Sequence, residues 1–130
     1  MIKLSRAYEP PGRRDGYRVL AERLWPRGIR KQDLVIDEWM KDIAPSQELR
    51  KWFGHDPSHW QEFEQRYRRE LATGAAAELL QQLVRKARSG TLTLVYSARD
   101  VEHNSAMVVR DEIERLLAHH RDEHAPHHHP

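Results

Sequence analysis

The sequence has 130 residues, with 22 Lys or Arg against 20 Asp or Glu for a net charge of +2, and no cysteine. That length fits one domain whose core buries roughly two thirds of the unfolded surface. The lack of cysteine excludes disulfides, thiolate metal sites and cysteine nucleophiles. No apolar run approaches the ~20 residues of a membrane span, so the expectation is a cytoplasmic protein with no membrane partner.

Ile2 to Ala7 is short and mixed and predicts a first strand; the opening residues lack the apolar stretch of a signal peptide. Pro10-Pro11-Gly12 ends it, and Asp15-Gly16 is a turn signal. Tyr17 to Trp25 reads as a second strand, weighted by Val19, Leu20 and Leu24 and stopped by Pro26, which lacks the N–H a ladder needs. Leu34 to Ile43 is ambiguous, but from Ile36 onward its apolar residues suit one helical face. Ser46 is an N-cap for a short helix, Gln47 to Phe53, that ends at Gly54.

Asp56-Pro57 starts a further helix with a capping residue and proline at its first position. Trp60, Phe63, Tyr67 and Leu71 then recur at helical spacing, the clearest amphipathic signal in the chain. Ala75 to Arg88 predicts another helix, with Leu79, Leu80, Leu83, Val84 and Ala87 as its stripe and Gly90 as its stop. Thr91 to Ser97 is β-prone throughout and reads as a strand buried on both faces. Asn104 or Ser105 caps a last helix with Ala106, Val109 and Ile113 on one side.

Alternating strands and helices imply crossover connections, hence the α/β class: a small, mainly parallel sheet flanked by helices in a single domain over residues 1–118. A helix-dominated arrangement is the runner-up. Residues 119–130 are rich in His, Asp and Pro and are expected to form a disordered tail. Its histidines would bind transition metals loosely or have no function.

The charge is unevenly distributed. Residues 1–31 hold nine Lys or Arg against three acids, a local charge of +6, while the remainder carries −4. Such segregation favours an anionic partner for the N-terminal third. Pairing of these arginines with acids of the later helices is the alternative.

Two segments carry most of the polar chemistry: Glu22-Arg23-Leu24-Trp25-Pro26-Arg27-Gly28 and Tyr96-Ser97-Ala98-Arg99-Asp100-Val101-Glu102-His103-Asn104. Each follows a predicted strand, and ligands of open α/β sheets sit outside the carboxyl ends of the strands. The second segment also opens a helix, whose unpaired N–H groups favour an anion. Arg23, Arg27 and Arg99 offer planar, bidentate donors for phosphate or carboxylate. His103 is the candidate general acid or base, with Asp100 or Glu102 to orient it, and these three form the candidate catalytic set. The alternatives are an Arg99–Asp100 salt bridge and a plain capping role for Asn104. His55, in Gly54-His55-Asp56-Pro57, reaches the same rim or bonds a backbone carbonyl. His55 and His59 have a metal-ligand spacing, but Pro57 puts a helix start between them and no third ligand is indicated, so no metal site is expected. No Gly-rich phosphate loop and no Gly-x-Ser-x-Gly elbow occurs, so cofactor-dependent redox chemistry and acyl-transfer hydrolysis lack support and any cofactor is left open.

Arg23 to Gly28, Asp37-Glu38-Trp39, Ala44-Pro45-Ser46, Leu49-Arg50, Trp52 to Pro57, Tyr96 to Asp100 and Glu102-His103-Asn104 form a series of spaced blocks. In them the chain resembles the YeaO-like branch of the family catalogued as domain of unknown function 488. The resemblance runs from the first strand to the last helix and leaves only the tail outside. It implies a compact α/β fold and no established activity. The broader family tends to carry Cys near the last strand and a Cys-His-Arg block at the last helix. Here Ser97-Ala98 and Glu102-His103-Asn104 occupy the comparable region, so any thiol chemistry of relatives cannot operate. Glu22 stands where an Asp is expected, which keeps a carboxylate and changes its reach.

Two functional expectations follow. In the first, a phosphate-bearing small molecule or nucleotide binds between the Arg27 turn and the start of the last helix. Arg23, Arg27, Arg99, His55 and Asn104 hold it, and hydrolysis or transfer at phosphorus proceeds by positioning and charge stabilisation. In the alternative, the basic N-terminal third serves a nucleic-acid-binding or regulatory module. Clustering of the basic side chains in a cleft favours the first, and spreading over a convex face favours the second.

Overall fold

The structure is a computed structural model and describes residues 1–123. Four strands, β1 (Ile2–Arg6), β2 (Tyr17–Leu20), β3 (Glu38–Trp39) and β4 (Leu92–Tyr96), form an all-parallel sheet in the order β1-β4-β2-β3. Four helices, α1 (Gln47–Phe53), α2 (Trp60–Leu71), α3 (Gly74–Ser89) and α4 (Ser105–Glu123), complete a single α/β domain. None of the described helices is long and apolar enough to cross a membrane.

β4 is an inner strand, between β1 and β2, and suits it because its residues are apolar or β-branched on both faces, and all five are buried. Its register sets the layers: Leu94 lies beside Leu4 of β1 and Val19 of β2. Side chains alternate across a strand, so Val19, Leu92, Leu94 and Tyr96 share one face. Against that face pack Phe63, Tyr67 and Leu71 of α2, Leu80, Leu83 and Val84 of α3, and Val109 and Ile113 of α4. Each such large side chain, fully buried, contributes about 1.5–3 kcal/mol of transfer free energy.

Among the described residues the opposite face carries no α-helix. Leu20 and Val95 are covered there by Ala7 and Leu34, with Trp25, Ile29, Ile36 and Trp39 around them, all from loops and β3. The helices therefore lie on one side of the sheet, and the segment between β2 and β3 acts as the second layer.

Under that layer lies a closed charge network. Asp15 is buried, accepts from Lys3 Nζ at 2.6 Å and from the Gly12 N–H at 2.9 Å, and forms an ion pair with Arg18. Arg18, only 3% exposed, also donates through Nε to the Val35 carbonyl at 2.6 Å. Thr93 Oγ1 donates to the Asp15 carbonyl at 2.6 Å. The hydrogen bond from the Lys3 ammonium is the main cause that holds the Asp15 carboxyl below its ordinary pKa, with Gly12 and Arg18 adding to it against the effect of burial.

Four elements differ from the expectations. β2 ends at Leu20 and not at Trp25, because Glu22 turns across to β4 and Trp25 bonds back to Ile29 O through its indole at 2.6 Å. Leu34 to Ile43 is not a helix. Asp37 N–H donates to Arg18 O and Met40 N–H to Leu20 O, so pairing with the edge of β2 overrides the helical spacing and only a 3₁₀ turn, Lys41–Ile43, forms. After Asp56 the chain makes a 3₁₀ turn, Pro57–His59, before α2 begins at Trp60. Finally, α4 runs on to Glu123, past the expected boundary at His119, since nothing before Pro126 breaks a helix. The rest of the expected tail, 124–130, lies outside the described residues.

Candidate functional site

Parallel strands bring their carboxyl ends to one edge, and at that edge a cleft of about 790 Å³ opens. Three stretches wall it: the turn after β2, the end of α1 with the loop behind it, and the segment joining β4 to α4.

The first wall is fixed by a carboxylate. Glu22 accepts from Ser97 N–H at 3.0 Å and from Ser97 Oγ at 2.6 Å, clasping the end of β2 to the end of β4. Trp39 Nε1 donates to the Glu22 carbonyl at 2.6 Å and its ring meets Trp25 edge-on at 5.3 Å, so Trp25 serves packing. Beyond it, Gly28 at φ +79° supplies the left-handed residue that turns the chain. Tyr8 Oη donates to the Arg27 carbonyl at 3.0 Å and fixes the turn. Arg27 is exposed and its guanidinium has no protein partner among the described residues. Arg23 is half-buried, with one terminal nitrogen 3.3 Å from Ala44 O and the other 3.6 Å from Asp42, while its Nε is buried and unpartnered.

The second wall comes from α1. Ser46 caps it, accepting from Leu49 N–H and donating to Glu70 at 2.6 Å. Four residues on, Arg50 lines the cleft, and its Nε too is buried without a partner. Gly54 and His55 are both left-handed, at φ +54° and +58°. This conformation is uncommon for a residue other than glycine, and it places His55 on the rim. His59 does not line the cleft. It stacks on Trp52 with 4.3 Å between ring centres and sets Nδ1 3.2 Å from Trp52 O. Among the described residues no group of three or more His, Asp or Glu could hold a metal ion.

The third wall is the β4–α4 segment. Arg6, at the end of β1, donates to Ala98 O at 3.0 Å and Ser97 O at 3.3 Å and so ties the segment down. Asp100 gathers the next turn. One of its oxygens accepts from the N–H groups of Glu102 and His103, at 2.9 and 3.0 Å, and the other lies 3.1 Å from His103 Nδ1. These bonds, the Glu102 N–H first and those of His103 after it, hold the Asp100 carboxyl below its ordinary pKa. With the proton on Nδ1, the His103 Nε2 is left as an acceptor. The His103 ring also stands edge-on to Trp60 at 5.2 Å. Asn104 is buried and caps α4, accepting from Met107 N–H at 3.1 Å and donating to Asp100 O at 3.0 Å.

The edge therefore gathers Arg23, Arg27, Arg99, His55, His103, Asp100 and Asn104, which lie far apart in sequence. Glu102 is exposed and does not line the cleft, so Asp100 alone meets the His103 ring. Arg99 makes no salt bridge to Asp100. Arg50 and the Glu22–Ser97 clasp are additions that the sequence reading missed.

Fold and site together define a single-domain α/β protein with an arginine-lined cleft at the carboxyl edge of a parallel sheet. It belongs to the domain of unknown function 488 family, since the model described as the inactive DUF488-N3 subclade matches residues 1–130. It is 43% identical over 115 residues to the uncharacterized protein YeaO of Escherichia coli K12, which covers 88% of this chain and 98% of that one. It is 41% identical over 108 residues to the uncharacterized proteins Mb3100c of Mycobacterium bovis and Rv3073c of Mycobacterium tuberculosis H37Rv, covering 83% of this chain and 89% of each relative. No solved structure matches the chain.

Proposed function

We propose that this protein binds a phosphate-bearing small molecule or nucleotide in the cleft and holds it without turnover. The observation that carries this reading is the convergence of Arg23, Arg27, Arg50 and Arg99 on one cleft that also contains the start of α4. Guanidinium forks match phosphate geometry, and free N–H groups at a helix start add to them. Among the described residues two carboxylates, Glu22 and Asp100, share the cleft, and both accept hydrogen bonds from the chain itself. Binding without chemistry fits the subclade's description as inactive. The sequence has no cysteine, which removes a thiol nucleophile from the cleft.

A thermal-shift screen against nucleotides, sugar phosphates, divalent metals and short oligonucleotides tests the reading. Phosphate-bearing small molecules are expected to raise the melting temperature, to an extent set by concentration relative to Kd, and to be recovered unchanged. Stabilisation by oligonucleotides alone would overturn it in favour of a nucleic-acid module. So would the absence of any stabilising phosphate compound.

A further inference from the structure

We infer that the cleft holds two anionic subsites, an outer one at Arg27, Arg99 and the start of α4 and an inner one between Arg23 and Arg50, so that its ligand carries two separate phosphate-like groups. The inference rests on the reading of the cleft as an anion site and goes beyond it by fixing the charge arrangement of the ligand.

The inner pair differs in kind from the outer pair. Arg27 and Arg99 are exposed, and water satisfies their donors. Arg23 and Arg50 are half-buried, and each has its Nε shut off from solvent with no acceptor in reach. A buried donor left unmade costs about 1–3 kcal/mol, and more on a charged group. Both residues line the cleft through the outer ends of their guanidiniums, and that of Arg50 meets no protein acceptor among the described residues, so an oxyanion entering there finds an unpaired fork.

The chain nevertheless builds this corner with care. Arg23 is steadied by the Ala44 carbonyl at 3.3 Å, Arg50 rides on a helix capped by Ser46, and Ser46 is itself gripped by Glu70 through N–H and hydroxyl at 2.8 and 2.6 Å. Neighbouring Tyr67 donates to Ile43 O at 2.6 Å, so the hydroxyl is already used and leaves the corner to the two guanidiniums. Among the described residues no acid pairs with Arg50, and Asp42, 3.6 Å from Arg23, is largely exposed. A cleft of about 790 Å³ has room for both groups and the scaffold joining them. When one group is held, the second binds at an effective concentration set by the linker, which raises affinity well above that of either alone.

Calorimetric titration of the full chain with inorganic phosphate, pyrophosphate, and the bisphosphates of ethanediol, butanediol and hexanediol tests this. At least one two-headed anion is expected to bind about tenfold or more tightly than phosphate, equivalent to about 1.4 kcal/mol. Arg50→Ala should bring that ligand down to the affinity of phosphate and change phosphate binding itself by less than about twofold, because the outer arginines still hold a single phosphate. Arg50→Lys, which keeps the charge but loses the fork, should fall between the two. Melting curves of both variants confirm that they fold. If every two-headed anion binds no better than phosphate, the inner subsite is wrong while the anion reading stands. Equal loss of both ligand types in Arg50→Ala also refutes a separate subsite. If neither phosphate nor any bisphosphate binds the unaltered protein, the anion reading itself fails and takes the inference with it.

Discussion

Under the loop-covered face of the sheet, Arg18 is buried and meets Asp15, the Val35 carbonyl and, through Asp15, Lys3. At the carboxyl edge, Arg27 and Arg99 are exposed with no protein partner among the described residues, and Arg23 and Arg50 keep a nitrogen buried and unmet. Lys3, Arg18, Arg23 and Arg27 all belong to the basic N-terminal third, yet the first two share a buried carboxylate, Arg23 meets a carbonyl and the exposed Asp42, and Arg27 meets no protein group among the described residues. Excess charge in a segment thus says little about binding until each group's partner is known. The network stabilises the fold and has no capacity left for a ligand, whereas the cleft has donors to spare.

Removing one partner of the network should have the largest effect. Asp15→Asn leaves Arg18 buried without its counter-ion and should lower stability by about 3–5 kcal/mol in urea denaturation. A near-neutral result would show that water reaches Arg18 and would erase the contrast. The same network gives a pH signature. Asp15 has a depressed pKa in the folded state, so its contribution is fully present above the unfolded value of about 3.9 and is lost as pH falls through the lower folded value. Asp15→Asn should flatten that part of the acid unfolding curve.

An intermediate effect is expected at the clasp between the two strand ends. Glu22→Ala strands the Ser97 N–H and should cost about 1–3 kcal/mol, and it should also weaken phosphate binding because the turn bearing Arg23 and Arg27 loses its anchor. The smallest effect on stability belongs to the outer arginines. Arg27→Ala and Arg99→Ala should stay within about 0.5 kcal/mol of the parent, while each weakens a phosphate ligand severalfold in calorimetry. If Arg99→Ala unfolds the protein as readily as Asp15→Asn, the edge is a second structural network and the comparison collapses.

Much of this was legible in the sequence, for identifiable reasons. β4 announces itself by a run of apolar and β-branched residues, and α2 by the spacing of Phe63, Tyr67 and Leu71, which share a buried face with Trp60 half-buried at its start. The meeting of Arg27 and Arg99 follows from parallel topology alone. Arg18 was opaque, because a charged residue between Tyr17 and Val19 looks like the solvent side of a strand, and only the loop folded over that face buries it. Arg50 was opaque too, since within Gln47–Phe53 nothing local separates a cleft-facing arginine from a solvated one. β3 was hidden because its two residues exist only by pairing with β2.

The strand order has a consequence for the chain as it is being made. β1 and β2 do not pair with each other; each pairs with β4, which is synthesised long after both. On the ribosome, β1 leaves the exit tunnel with no ladder partner, and β2 finds only the two residues of β3. α1, α2 and α3 follow and can join through local contacts, which form fast because little chain has to be closed into a loop. Their apolar side, which in the finished protein covers Leu92 and Leu94, has no sheet to close on until β4 appears, and the core is complete only when α4 follows.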